Sequence, residues 1–330
     1  MSFLVYRVEE SATGMQAAWQ EVEQSYLPEA QVLIDVHYSS VNYKDALSAN
    51  GNKGVSKNFP HTPGIDAAGV VIKSSSSAFA AGDEVIVTGY DLGMNTKGGF
   101  GQRIAVPANW LVKKPQNLSL ATAMAWGTAG FTAALSVQKL ERAGIKPDQG
   151  PVLVTGATGG VGSIAVALLA KLGYQVIALT GKVAQSSFLQ SLGAHSVVDR
   201  EAILALKDKA MAKPLYQGVV DTVGGDMVSA LIGQIQPEGA ISTCGMIAGT
   251  RVEASIFPFI LRGVSLLGVD SVEIPLADKQ AVWDKIADAW ALPDIEQQVT
   301  EIGRSELAAS LEKLLAGQAV GRYRLNLQKA

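Results

Sequence analysis

The chain has 330 residues, a formal net charge of −3, 34 glycines and a hydrophobic content of 48%. This composition excludes a disordered chain, and the length predicts two domains. The small net charge and the scattered basic residues give no reason to expect nucleic acid as a partner. No uninterrupted apolar run approaches the roughly 20 residues that span a bilayer, so we expect no membrane partner and a cytoplasmic protein. Cys244 is the only cysteine, which excludes an intrachain disulfide and a cysteine cluster for zinc.

The first third of the chain is rich in short β-branched runs that are broken by glycine, proline and asparagine. This pattern is typical of strands that pair with their neighbours, so we predict a mostly β, barrel-like domain. The strands that the pattern predicts are 32–38, 69–72, 84–88, 102–106 and 110–112.

The middle of the chain alternates apolar strand patterns with helical patterns, which predicts a doubly wound parallel α/β sheet. We expect the C-terminal part, with amphipathic stretches at 278–291 and 306–316 and an extended piece at 321–327, to return to the first domain. Residues 1–123 and 264–330 would then form a substrate domain around an inserted domain at 124–263, with the active site in the cleft between them. The inserted domain has predicted strands at 152–155, 175–180, 196–199, 218–221 and 240–244, and predicted helices at 160–172, 184–192 and 226–235.

A glycine-rich turn joins the first strand of the inserted domain to its helix. It reads A-x-G-x-x-G, with Ala157 in the first position. Gly159 would let the backbone approach a pyrophosphate, and Gly162 would let the helix pack tightly on the strand. The next predicted strand, 175–180, completes a βαβ unit of the expected length. This context favours a Rossmann dinucleotide site over a purely structural turn.

The residues that follow the second strand indicate which dinucleotide binds. An acidic residue at this point usually binds the ribose of NAD, and the sequence has no Asp or Glu over residues 175–197. Thr180, Gly181 and Lys182 occupy the end of the strand, and Arg200 follows the next strand. These cations can pair with a 2′-phosphate, so we predict NADPH. The alternative for Lys182 is an ordinary solvated lysine.

Other motifs occur in an order that is found in one dehydrogenase superfamily. With VNYKD at 41–45, PGIDAAGVV at 63–71, GDEV at 82–85 and GTAGFTA at 127–133, the chain resembles the medium-chain dehydrogenase/reductase superfamily. The resemblance covers essentially the whole chain and implies that the first domain is GroES-like. Four motifs are similar to the acrylyl-CoA reductase subgroup, often labelled quinone oxidoreductase-like: NYKD at 42–45, GGFG at 98–101, FPFILR at 257–262 and GVDSV at 268–272.

The zinc-dependent branch of this superfamily has Gly-His-Glu where this chain has Gly64-Ile65-Asp66. His37, His61, His195 and Cys244 have no recognised zinc spacing, so we predict no metal site. Reduction without a metal requires a substrate that is its own electron sink. An α,β-unsaturated thioester and a quinone both meet this requirement.

The loop after the strand at 32–38 carries the residues that the resemblance places at the nicotinamide and the substrate. Tyr43 is the first candidate, because its ring can line the pocket and its hydroxyl can donate to a ribose, a carbonyl or a water. Asn42 would orient the substrate carbonyl, and Asp45 would hold Tyr43 or a proton-delivering water. The alternative is a capped turn with a packed tyrosine.

The resemblance also implies contacts with the cofactor and with coenzyme A. Met246 and Ile260 are expected near the nicotinamide, although both could be core residues. The full set of expected cofactor contacts is Tyr43, Thr158, Gly159, Gly160, Val161, Thr180, Gly181, Lys182, Arg200, Met246, Ile260, Ser271 and Gln328. The candidates for the coenzyme A phosphates are Lys97, Arg262, Arg322 and Arg324.

Three functions remain open from the sequence. The first is NADPH-dependent reduction of the C=C bond of a short α,β-unsaturated acyl-CoA, with acryloyl-CoA giving propanoyl-CoA. The second is reduction of a quinone or another activated alkene, and the third is a non-catalytic NADPH-binding or structural role. The apolar segment 257–272 at an exposed sheet edge predicts a homodimer.

Overall fold

The computed structural model describes residues 2–12 and 14–329. The chain forms two compact units, of which one combines Met1–Thr128 with Ser271–Ala330 and the other is Ala129–Asp270. The strands are β1 (Phe3–Ser11), β2 (Gly14–Val22), β3 (Val32–Val41), β4 (Asp66–Ser74), β5 (Glu84–Thr88), β6 (Arg103–Val106), β7 (Val112–Lys113), β8 (Val152–Val154), β9 (Val176–Thr180), β10 (Ser196–Asp199), β11 (Tyr216–Asp221), β12 (Ile235–Thr243), β13 (Ser265–Gly268), β14 (Val299–Ile302) and β15 (Arg322–Asn326). The α-helices are α1 (Tyr43–Ala49), α2 (Leu120–Arg142), α3 (Gly160–Lys171), α4 (Ser186–Ser191), α5 (Arg200–Leu204), α6 (Asp226–Ile232), α7 (Phe257–Arg262), α8 (Leu276–Ala287) and α9 (Leu307–Leu315).

The first unit is built on a seven-stranded sheet with the order β14-β15-β3-β4-β5-β7, in which β6 also pairs with β3. All pairs are antiparallel except β14 with β15. Ile34 and Val36 on β3 are buried while Leu33 and Asp35 are partly exposed, as expected for a strand with one face on the core. The mostly β first domain is therefore confirmed, and β15 joins its sheet from the C-terminal part of the chain.

The second unit contains a six-stranded parallel sheet with the order β10-β9-β8-β11-β12-β13. Every residue of β8 and β11 is buried, as expected for the central strands of a parallel sheet that is covered on both faces. The strand order reverses between β8 and β11, and open α/β sheets bind ligands at the carboxyl ends of the strands beside such a reversal. The predicted doubly wound sheet is confirmed.

The β1–β2 hairpin and the helix α2 were both absent from the prediction. The β1–β2 hairpin was not predicted, because its strands mix buried apolar positions with charged ones. The helix α2 also contains small and polar residues, so it does not form an uninterrupted apolar run. It is nevertheless long and apolar enough to span a bilayer, but 83% of its most apolar 18-residue window is buried, as in a core helix.

Candidate active site and dinucleotide site

The α1 helix begins directly after β3, and its first turn carries the predicted catalytic residues. Asn42 has extended backbone dihedrals and caps the helix. The Asp45 carboxylate accepts hydrogen bonds from the Asn42 backbone N–H (2.8 Å) and side-chain amide (3.2 Å). Its other oxygen accepts the Ile65 N–H at 2.8 Å. Asp45 therefore takes part in the helix cap that was the alternative to a catalytic role, and it is also a fully buried carboxylate.

Asp66 places a second buried carboxylate beside the first, and the sequence analysis did not select it. Its carboxylate accepts the Asn42 amide at 3.0 Å and the Thr128 N–H at 2.8 Å. The hydroxyls of Ser40 and Thr128 also donate to it. An acidic residue at the start of an otherwise apolar strand was the sequence signal that could have identified Asp66.

Arg322 brings a buried guanidinium to the same residues from β15. Its Nη1 donates to the Asn42 side-chain oxygen at 3.3 Å, and its Nε donates to the Ala125 carbonyl at 3.1 Å. Among the described residues, its Nη2 is buried without a hydrogen-bond partner. We call Asn42, Asp45, Asp66 and Arg322 the carboxylate cluster.

Burial within the carboxylate cluster shifts the pKa values of two of its members. Burial, and then the negative charge of Asp66, raise the pKa of Asp45 from 3.8 to about 7, although hydrogen bonds from Ile65 and Asn42 oppose the shift. Burial lowers the pKa of Arg322 to about 10 against the effect of both carboxylates. Asp45 can therefore take up or release a proton near neutral pH, which is a requirement for general acid–base chemistry.

Gly127 allows the α2 helix to approach the carboxylate cluster closely. Its dihedrals (φ 51°, ψ −160°) interrupt the helix, and few residues other than glycine adopt them. A Cβ at this position would overlap the Ser40 side chain and lie 2.9 Å from an Asp66 carboxylate oxygen. The absence of a side chain at Gly127 thus lets the Thr128 N–H reach Asp66.

Tyr43 and Asn42 differ in their environment. Tyr43 is 39% exposed, whereas Asn42 is buried with both ends of its amide bound inside the cluster. We therefore expect Asn42 to orient its neighbours rather than a substrate carbonyl. The partners of the Asp45 carboxylate are Asn42 and Ile65, so the suggestion that Asp45 holds Tyr43 is wrong.

The glycine turn in the second unit has the features of a pyrophosphate site. Gly156 adopts a positive φ of 57°, and Gly159 caps α3. A Cβ on Gly162 would overlap the Gly156 carbonyl and lie 2.8 Å from the Ala157 Cα, so the helix approaches the strand as closely as predicted. The first N–H groups of a helix lack partners within it, and they attract anionic ligands.

The residues predicted for the phosphorylated ribose lie together at the ends of adjacent strands. The Thr180 hydroxyl is 3.3 Å from the Thr158 hydroxyl and accepts the Lys182 N–H at 3.0 Å. The Arg200 side chain crosses the backbone of Gly181, where an added Cβ would lie 3.0 Å from its Nε. Lys182 is partly buried, and burial lowers its pKa. These donors and cations fit a 2′-phosphate.

The remaining cofactor candidates are distributed over both units. Met246 (69% exposed) and Ile260 (65% exposed) lie on the surface of the second unit, so the alternative that they are core residues is wrong. Ser271 is buried and Gln328 is exposed, both in the first unit. The cofactor contacts of these four residues stay predictions.

Three of the four cations suggested for coenzyme A are bound within the protein. Arg322 belongs to the carboxylate cluster, and Arg262 donates to the carbonyls of Ala212, Gly233 and Ile235. Arg324 pairs with Glu296 and Glu301 at 2.8 Å each. These assignments are wrong, because such arginines would lose their internal partners on binding a phosphate. The Lys97 ammonium also contacts the Pro60 carbonyl.

Histidine and cysteine were the candidates for a metal site. In the part of the chain that the structure describes, no group of three or more His, Cys, Asp or Glu side chains could hold a metal ion. His61 is buried with its Nε2 2.9 Å from the Gly93 carbonyl, and burial lowers its pKa to about 4. The absence of a metal from the reaction stays a prediction.

Comparisons with known proteins cover both units. The family model described as alcohol dehydrogenase GroES-like domain matches residues 28–116, and the one described as zinc-binding dehydrogenase matches residues 160–288. The acrylyl-CoA reductase AcuI of Ruegeria pomeroyi is 41% identical over 319 residues, which are 97% of either chain. A candidate quinone oxidoreductase, YhfP of Bacillus subtilis, is 43% identical over 326 residues, 98% of this chain and 99% of YhfP.

Two solved structures of similar proteins contain different nucleotides. The yhdH oxidoreductase of Salmonella enterica in complex with NADP has a TM-score of 0.95 at 40% identity. The B. subtilis yhfP protein with NAD bound has a TM-score of 0.96 at 43% identity. Both comparisons cover 99% of this chain and 100% of the other. Overall similarity therefore indicates a dinucleotide, and local residues must decide which one.

Proposed function

Because the chain belongs to the medium-chain dehydrogenase/reductase superfamily, in the group that contains the acrylyl-CoA reductases, we propose that it reduces the C=C bond of a short α,β-unsaturated acyl-CoA with NADPH. Acryloyl-CoA is the proposed substrate and propanoyl-CoA the product. The observation that carries this proposal is the carboxylate cluster, in which burial raises the pKa of Asp45 to about 7, two residues after the exposed Tyr43.

The reaction requires a hydride, an electrophilic carbon and a proton. NADPH, when bound, would supply the hydride for the β-carbon of the substrate, and the α-carbon would take up the proton. The raised pKa of Asp45, about 7, suits this carboxyl to the proton transfer, and Asn42 is held between both carboxylates and Arg322. Tyr43 is the exposed hydroxyl donor of this group, and we assign it to the thioester carbonyl or to a water that delivers the proton.

The choice of NADPH rests on the strand end of the second unit. Lys182 and Arg200 offer two cations, with the Thr180 and Thr158 hydroxyls close to them. No acidic residue occurs over residues 175–197 that would bind the 2′-hydroxyl of NAD. The glycine turn would hold the pyrophosphate of either nucleotide. We therefore assign the preference for NADPH over NADH to the contacts of these residues with the 2′-phosphate alone.

The first experiment follows NADPH oxidation with acryloyl-CoA, crotonyl-CoA and a small quinone in parallel, without added metal. Turnover with acryloyl-CoA at micromolar concentration is expected. The similarity to YhfP makes a quinone the second candidate substrate. Turnover with the quinone alone would show that the acyl-CoA is not the substrate. Tight binding of NADPH without turnover of any substrate would indicate the non-catalytic role.

We also propose that the protein is a cytoplasmic homodimer. The edge strand β13 is largely exposed, and the second unit carries an apolar surface around it. An unpaired edge with such a surface pairs readily with a second copy of itself. The exposed apolar residues of this edge are Phe257, Ile260, Leu261 and Leu266.

A further inference from the structure

Asp221 is a buried carboxylate in the second unit that the proposed reaction does not use. It ends β11, beside the point where the strand order reverses. Its Oδ1 accepts the Thr155 hydroxyl at 2.8 Å, and its Oδ2 accepts the Thr243 hydroxyl at 2.7 Å. The Gly224 N–H donates to Oδ2 at 3.0 Å. One carboxylate therefore joins the ends of three adjacent strands, β8, β11 and β12.

On one side, Asp221 binds Thr155, which lies two residues before the first position of the glycine turn. Because the Thr155 hydroxyl donates to Asp221, its oxygen is free to accept the Thr222 N–H at 2.9 Å. The Thr222 hydroxyl in turn donates to the Thr155 carbonyl at 2.8 Å. An added Cβ on Gly156 would lie 2.5 Å from that hydroxyl. The turn is thus held in one position directly before the residues expected on the pyrophosphate.

On the other side, Asp221 holds the loop that faces residues 244–248. The Val223 N–H donates to Asp221 at 3.2 Å, and the Val223 carbonyl accepts the Ala248 N–H at 3.0 Å. Gly224 adopts a φ of 76°, and a Cβ there would overlap the Gly245 carbonyl. This packing fixes the segment that contains Met246, the residue expected near the nicotinamide ribose.

We propose that Asp221 is a positioning residue for the dinucleotide, which holds the glycine turn and the 244–248 segment in their binding arrangement. The proposal rests on the proposed function only in requiring that a dinucleotide binds. Both carboxylate oxygens are needed as acceptors. In Asp221→Asn the amide would present N–H groups to at least one of the present donors, so one end of the network must move.

The test measures the Kd of Asp221→Asn for NADPH and for NADH by fluorescence titration, without any acyl-CoA or quinone. Both Kd values are expected to rise by roughly tenfold, because the turn and the loop serve parts that the two nucleotides share. Loss of turnover with every substrate would contradict the proposed reaction but would leave this binding result intact. Unchanged Kd values would overturn the role of Asp221.

Two further variants separate positioning from general destabilisation. Val219→Ala opens a cavity on the same buried strand without touching the network, so it should lower Tm and leave both Kd values within twofold. The double variant Asp221→Asn/Thr155→Val should bind each nucleotide with the same Kd as the single variant of lower affinity, because both changes break one network. A tenfold loss in Val219→Ala, or additive losses in the double variant, would overturn the proposal.

Discussion

Asp45 changes its ionisation close to neutral pH, which predicts the pH dependence of the enzyme. Its pKa is about 7 in the folded chain and close to 3.8 in the unfolded chain. The resulting contribution to stability is fully present below pH 3.8 and is lost as the pH rises through about 7. The same deprotonation adds negative charge to the cluster, so kcat should fall above pH 7.

Asp45→Asn tests this assignment. The variant should lose the fall in kcat above neutral pH and the part of the pH-dependent unfolding free energy that Asp45 supplies. Urea unfolding at pH 5 and pH 8 measures the second effect. Asp148→Asn, on the exposed surface, is the control and should leave both profiles unchanged. A wild-type profile in Asp45→Asn would assign the titration to another group.

Lys182→Glu tests the selection of NADPH. The change replaces a cation with an anion, so the KM for NADPH should rise by tenfold or more, equivalent to about 1.4 kcal/mol of binding. The KM for NADH should change little, since NADH lacks the phosphate. Lys171→Glu, at the exposed end of α3, serves as the charge control. Equal losses for both nucleotides would mean that Lys182 does not bind the phosphate.

Tyr43→Phe tests the exposed hydroxyl beside the carboxylate cluster. The variant keeps the ring and removes the donor, so kcat should fall by about tenfold or more while the Kd for NADPH stays within twofold. Stopped-flow measurement of hydride transfer would separate this effect from product release. With kcat unchanged, Tyr43 would have a packing role only.

At the scale of single residues, the sequence predicted members of the candidate site only where they are close along the chain. The glycine turn and the Asn42–Asp45 cap are local patterns, and both occur as expected. Asp66 and Arg322 were not assigned to the site, because β4 and β15 bring them to Asn42 through pairing with β3. Net charge and spacing contain no information on such long-range pairing.

At the scale of elements, the interruption of α2 at Gly127 lies against Ser40 and Asp66 of the first unit. Gly127→Ala should lower the unfolding free energy by roughly 2–4 kcal/mol, from an unfavourable φ and from overlap with Ser40 and Asp66. Gly144→Ala is the matched control, because Gly144 also has a positive φ (90°) but has nothing within 4 Å of an added Cβ. Urea unfolding measures both, and equal losses would exclude the overlap.

Several strands in both units were predicted closely, whereas the β1–β2 hairpin of the first unit and the helices α5 and α7 of the second were not. Buried parallel strands and short connecting helices have distinct periods, so β9 and β10 lie within one residue of their predicted bounds. The β1–β2 hairpin has no such pattern, because paired polar residues occupy its exposed face. In α2, the interruption at Gly127 depends on its contacts with Ser40 and Asp66 rather than on local propensity.

At the scale of the whole molecule, the apolar edge predicts the oligomeric state. Leu266→Lys places a charge on β13 and should convert the homodimer to a monomer in sedimentation velocity. Ile72→Lys, at a comparably exposed apolar residue of the first unit, is the control and should leave the dimer intact. A wild-type monomer mass at every concentration would contradict the dimer.

The discontinuous first unit also determines when the protein can become active during translation. Its sheet contains β15, and Arg322 on β15 donates to Asn42 between the two buried carboxylates, so the ribosome adds this part of the cluster long after Asp45 and Asp66. The second unit is one continuous segment, Ala129–Asp270, so it can fold while the first unit waits for its partner strand. A nascent chain could therefore bind nucleotide before it can catalyse a reaction, and its active site would be assembled only after β15 has been released.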